Sequence, residues 1–139
     1  MQAYFSCSIT GGRSEQQTYK KIVQHLEEQG WKVPTAHLAE AGILDEESII
    51  DPQTVFKRDV NWVTKSDIMI AEVSTPSHGV GYEIALAEFH QKPIFCCYQS
   101  GKKVSKMITG SDYIYQQVYV YEKIEDLLAA LDAFLSDFS

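Results

Sequence analysis

Apolar residues along this chain follow two rhythms: short unbroken runs, and longer stretches in which they return every third or fourth position. Ala3 to Ser8 is a β-prone run that stops at the turn signal Thr10-Gly11-Gly12. Ser14 is placed as a helix cap, and Tyr19, Ile22, Val23 and Leu26 then recur at helical spacing until Gly30, which predicts a helix over Ser14 to Gln29. Trp31 to Thr35 predicts a short second strand. The acidic stretch from Ala36 to Ile50 has no clear period and is long for a connection, so it is expected to form a lid or pocket wall. Asp51-Pro52 opens a helix that runs to about Ser66, with proline where a missing N–H costs nothing. Asp67 to Val73 is a nearly continuous apolar run, as in a strand covered on both faces. A helix over Gly79 to His90, a strand over Lys92 to Tyr98, a short helix or turn over Val104 to Gly110, a strand over Gln117 to Tyr121 and an amphipathic helix over Ile124 to Leu135 complete the pattern.

Five strands alternating with helices predict an α/β fold: a flavodoxin-like, doubly wound, five-stranded parallel sheet with helices on both faces. At 139 residues the chain is expected to form a single domain spanning 1–139. Ligands of such sheets bind at the carboxyl ends of the strands. That rule directs attention to three strand ends: Ser8, Ile9, Thr10, Gly11, Gly12 and Arg13, then Glu72 through Glu83, and the segment after Cys97.

Composition narrows the partners. Twelve Lys and Arg against 19 Asp and Glu leave a net charge of −7, which argues against nucleic acid but not against a small phosphorylated ligand held by backbone amides. Cys7, Cys96 and Cys97 form no CxxC pair and the four histidines have no metal-ligand spacing, so neither a metal nor a cofactor is expected. No signal segment or membrane-length apolar run is present in the sequence, and a cytoplasmic location is expected.

Ser77, Gly79 and Gly81 lie where a helix begins, so amides and a hydroxyl could converge on an anion there. Glu83, placed in the first turn of that helix, should favour its ionised form and is a candidate nucleophile. Asp59 falls about 60° from Phe56 and about 40° from Val63 around its helix, on the edge of the apolar stripe Phe56, Val60 and Val63, where desolvation favours the neutral acid. Two carboxylates with different proton affinities suit cleavage of an N-glycosidic bond. The same residues also fit a helix-terminal charge at Glu83 and an ion pair of Asp59 with Arg58 or Lys57.

The segments Tyr4-Phe5-Ser6-Cys7-Ser8-Ile9-Thr10-Gly11-Gly12-Arg13, Asp59 with Trp62, and Ala71 through Glu83 resemble the Rcl-like 2′-deoxynucleoside 5′-monophosphate N-glycosidases of the nucleoside 2-deoxyribosyltransferase superfamily. The block Pro-Ser-x-Gly-Val-Gly-Tyr-Glu is the specific part. The resemblance implies that Glu83 attacks the anomeric carbon, that Asp59 assists departure of the base and that Tyr4 orients the nucleophile. It further implies that Ser77 and the Gly79 and Gly81 amides hold the 5′-phosphate, that Ser105 reaches the neighbouring subunit's site in a homodimer and that His37 sits beside the base. Thr10 departs from an arginine of the family, a charge that is either replaced by Arg13 or lost.

Hydrolysis of nucleoside 5′-monophosphates is therefore the expected activity. Base exchange by a deoxyribosyltransferase, and a non-catalytic nucleotide sensor on the same fold, are the alternatives.

Overall fold

The computed structural model of the chain describes residues 1–9, 13–40 and 43–138. Four strands, β1 (Ala3–Cys7), β2 (Ile68–Glu72), β3 (Ile94–Gln99) and β4 (Gln116–Tyr121), form one sheet in the order β1-β2-β3-β4, each neighbouring pair parallel. The helices are α1 (Arg13–Glu28), α2 (Ile43–Ser48), α3 (Pro52–Lys65), α4 (His78–Phe89), α5 (Lys106–Thr109) and α6 (Ile124–Leu135). The α/β reading, a parallel sheet flanked by helices, is thus what the chain adopts.

The fifth strand is where the structure differs. Trp31 to Thr35 contributes only a single parallel bridge, Lys32 to Gln2, beside β1. Pro34 has no N–H to give a ladder. Just past it the Thr35 hydroxyl accepts from the Phe5 N–H at 3.0 Å and donates to the Phe5 carbonyl at 2.7 Å, taking the place of strand backbone. With that bridge counted, the order is the flavodoxin-like one.

Local sequence accounts for the helix ends. The Asp51 carboxylate accepts from the Thr54 N–H at 2.9 Å and Pro52 takes the first position of α3. Gly30, at φ 89°, turns the chain out of α1. Ser14 lies within α1 rather than capping it. The stretch with no clear period holds a short 3-10 turn, Ala36–Ala39, and α2.

Alternation along the strands divides the core in two. Phe5, Ile70 and Phe95 pack with Tyr19, Ile22 and Leu26 of α1 and Leu127 and Leu131 of α6. Tyr4, Met69, Ala71 and Cys96 face the other way, onto Val63 of α3 and Val80, Ile84 and Ala87 of α4. Each large aliphatic side chain so buried contributes about 1.5–3 kcal/mol. Of the expected α3 stripe only Val63 is buried. Phe56 is 54% exposed and meets Tyr82 of α4 edge-on at 6.2 Å, because the space between α3 and α4 at that end is an open cavity rather than packed core.

Candidate active site

Tyr4 and Ser6 stand two residues apart on β1 and so point to the same face of the sheet, toward α4. The Tyr4 hydroxyl donates to Glu83 Oε2, and the Ser6 hydroxyl donates to Oε1 at 2.9 Å. Glu83 lies in the second turn of α4, which begins at His78, and not in the first turn as expected; the helix dipole fades within the first turn. Burial lifts the Glu83 carboxyl above the ordinary carboxylate range, the Tyr4 and Ser6 hydrogen bonds pull it back, and the charge of Asp59 lifts it further. Burial and the charges of Glu83 and Asp59 drive the Tyr4 hydroxyl far up, so it remains a donor at any physiological pH.

Asp59 of α3 lines the same cavity as Glu83, about 480 Å³ in volume, whose walls include Val55, Phe56, Val60, Tyr82 and Leu86. Burial raises its carboxyl, and the hydrogen bond and charge of Arg58 oppose that rise. Arg58 Nε donates to Asp59 Oδ1 at 2.9 Å, and its Nη2 donates to Glu47 Oε1 at 2.8 Å. The guanidinium lies 5.0 Å from the centre of the Trp62 ring. His37 Nε2 is 3.5 Å from Glu47 Oε1, and its ring meets Trp62 edge-on at 5.8 Å. His37 thus joins Asp59 through Glu47 and Arg58 and is not among the residues that line the cavity.

Both readings left open for Asp59 hold together: it pairs with Arg58 and it faces the cavity with Glu83. Both carboxyls are raised by burial, so they do not diverge as dipole against desolvation. Their difference lies in their partners, neutral hydroxyls at Glu83 and a cation at Asp59.

A second cavity of about 570 Å³ shares His78 and Tyr82 with the first and is lined by Thr75, Ser77, Gly81, Lys103 and Ser105 among others. The Ser77 hydroxyl accepts from the Val80 N–H at 3.3 Å, capping α4. The Gly81 N–H donates to the Ser77 carbonyl at 3.2 Å and is not available to a ligand, a correction to its expected role. By helix geometry the amides of His78 and Gly79 are the ones without a partner inside the helix. Ser105 caps α5, accepting from the Met107 N–H at 3.2 Å, and shares this cavity with Ser77 of its own chain. Ser8 is buried and Ile9 half-buried at the end of β1; Thr10, Gly11 and Gly12, and the side chain of Arg13, lie outside the described residues.

Ser6 and Glu47 were not singled out from sequence for the places they hold, whereas Arg58 was one of the two partners expected for Asp59. The alternation that pairs Ser6 with Tyr4 would have found the first; nothing local marks Glu47. Among the described residues no His, Cys, Asp and Glu cluster is arranged to hold a metal ion, and no helix is long and apolar enough to cross a membrane.

Residues 3–130 match the family described as nucleoside 2-deoxyribosyltransferase. The chain is 44% identical over 112 residues to 5-hydroxymethyl-dUMP N-hydrolase of Rattus norvegicus, covering 78% of this chain and 68% of that protein. It is 38% identical over 134 residues to 5-hydroxymethyl-dUMP N-hydrolase of Danio rerio, covering 92% and 93%. In fold it resembles the Clostridium botulinum CMP N-glycosidase, with a TM-score of 0.77 and 21% identity over 97% of this chain and all of that one. The match takes in all four strands and both carboxylate-bearing helices, and on these grounds the chain belongs to the nucleoside 2-deoxyribosyltransferase family.

Proposed function

We propose that this chain is an N-glycosidase that hydrolyses 2′-deoxynucleoside 5′-monophosphates to free base and deoxyribose 5-phosphate. The observation that carries the reading is the meeting of Glu83 and Asp59 in one cavity, with both Glu83 oxygens held by hydroxyl donors. Relatives whose names state hydrolysis of a deoxynucleoside monophosphate support it.

In the first step a Glu83 oxygen forms a bond to the anomeric carbon as the bond from that carbon to the base nitrogen breaks, its electron pair leaving with the base. Asp59 meets the charge that develops on the departing base by a proton or hydrogen bond. Water then attacks the anomeric carbon of the glycosyl ester and gives up a proton, which replaces the one that left with the base, so that Glu83 is released as carboxylate and deoxyribose 5-phosphate remains. Tyr4 holds the carboxylate beneath the sugar; a preorganised interaction of this kind contributes roughly 3–4 kcal/mol. A 2′-hydroxyl would oppose positive charge at the anomeric carbon by induction, so the deoxy sugar is the easier substrate.

Ser77, the His78 and Gly79 amides, and the segment Ser8, Ile9, Thr10, Gly11, Gly12 and Arg13 receive the phosphate, with His37 on the side of the base. The chain works as a homodimer in which Ser105 serves the neighbouring site, a reading supported by the 86% exposure of Met107 beside it. Its setting is the cytoplasm, in keeping with three free, buried cysteines.

Chromatography of the products from deoxy- and ribonucleoside monophosphates tests the reading. Wild type is expected to release free base and Glu83→Ala none; base release by that variant would remove Glu83 from the mechanism. Exchange of the base of thymidine for added adenine, without net hydrolysis, would favour a transferase.

A further inference from the structure

The buried carboxylate that this chemistry leaves unused is Glu72, the last residue of β2, which is 0% exposed on the α1 and α6 side of the sheet. It accepts from the Ser74 N–H at 2.7 Å, from the Ser74 hydroxyl at 2.9 Å and from the Tyr121 hydroxyl. The Ser74 oxygen in turn accepts from the Gln99 N–H at 2.9 Å. One carboxylate therefore ties together the carboxyl ends of β2, β3 and β4 directly beneath the turn that leads into α4. The next residue, Thr75, is fixed from the other side, its hydroxyl donating to Glu15 of α1. Val73, Thr75, Pro76 and Ser77 of this turn all line the larger cavity.

We propose that Glu72 is a positioning residue for substrate: it sets the height of the Ser74–Ser77 turn, and with it the Ser77 hydroxyl and the His78 and Gly79 amides that face the 5′-phosphate. The proposal rests on the N-glycosidase reading above. A carboxylate suits the task because it is all acceptor, and three donors converge on it. Glutamine has one acceptor oxygen, and its amide would turn N–H groups toward a turn that offers donors. An apolar side chain would leave those donors unmet in the core. A group that served packing alone would have no need of two oxygens at the end of a strand.

Glu72→Gln keeps the volume and removes one acceptor. Steady-state kinetics on a deoxynucleoside monophosphate, with inorganic phosphate as competitor, should show KM and the phosphate inhibition constant rising together by about tenfold, with kcat within about twofold of wild type. A folded variant with both constants unchanged would overturn the proposal, as would a fall in kcat at unchanged KM. Should Glu72→Gln not fold, Tyr121→Phe keeps the ring and removes a single donor; a rise of about threefold in the same two constants is expected, and none would overturn it. Calorimetry with inorganic phosphate separates the two readings. A wild type that releases no base, yet binds phosphate more tightly than the variant, would defeat the N-glycosidase reading and retain the role of Glu72; base release with phosphate binding equal in both would do the reverse.

Discussion

Glu72 and Glu83 lie on opposite faces of one sheet and share a pattern of donors: each carboxylate is held by one tyrosine and one serine hydroxyl, Tyr121 and Ser74 for the first, Tyr4 and Ser6 for the second. Burial raises both above the ordinary carboxylate range. They differ in outlook. Glu72 is closed in by the strand ends, whereas Glu83 borders a cavity that is also lined by Asp59, itself paired with Arg58. Hydroxyl donors fix where a carboxylate points; access and a second acid decide whether it can react. The same device serves shape on one face and chemistry on the other.

The largest effect expected from that contrast is at Glu83. Glu83→Gln should reduce base release by more than about 10⁴-fold, where Glu72→Gln keeps kcat; equal loss in both would erase the distinction. The glutamine should also gain stability. A carboxyl whose folded-state pKa is raised contributes stability below its unfolded pKa and loses it as pH rises through the folded value, so at pH 7 ionised Glu83 weighs against the fold. Melting of Glu83→Gln at pH 7 is expected about 2–4 °C above wild type, and at pH 4 the gap should narrow.

Asp59→Asn comes next, with a fall in kcat of about 10²–10³-fold and little change in KM, as for loss of a general acid; a wild-type rate would leave Glu83 acting alone. Tyr4→Phe removes one of two donors and should lower kcat by about ten- to a hundredfold. The smallest effect is a shift in the acid limb of the pH–rate profile. Wild type should lose activity on acidification with a midpoint above the usual glutamate value of about 4.3, a property of the coupled pair Glu83 and Asp59. A hydrogen bond to the ionised form lowers a pKa, so Tyr4→Phe should move that midpoint upward. A downward move would mean that the Tyr4 contact does not favour the carboxylate.

Much of this was legible in the sequence because it is local. Strand and helix periods marked the elements, and Pro52 and Gly30 marked boundaries. The shortfall at Trp31–Thr35 arose from a side chain, since the Thr35 hydroxyl replaces backbone pairing that propensity alone assigns to a strand. At the site, the helical angle of Asp59 and its neighbour Arg58 were readable, but the carboxylate on the far side of that arginine was not. Glu47 stands eleven residues before Arg58 on a separate helix, and only tertiary packing brings its carboxylate to the guanidinium. Ser6 was hidden by size: a small polar residue in an apolar strand reads as filler until the facing helix is known to carry a glutamate. Phe56 misled in the opposite sense, because a wall of a cavity and a wall of the core have the same spacing.

Ala87 gives the arrangement a further property. It lies one helical turn beyond Glu83 on the same side of α4, fully buried against the sheet that carries Tyr4. The methyl group there acts as a spacer between helix and strands. A bulkier side chain would tilt α4 outward and lengthen the reach from Glu83 to its hydroxyl donors. The alignment of the reacting oxygen can in this way be tuned from a residue that no substrate touches.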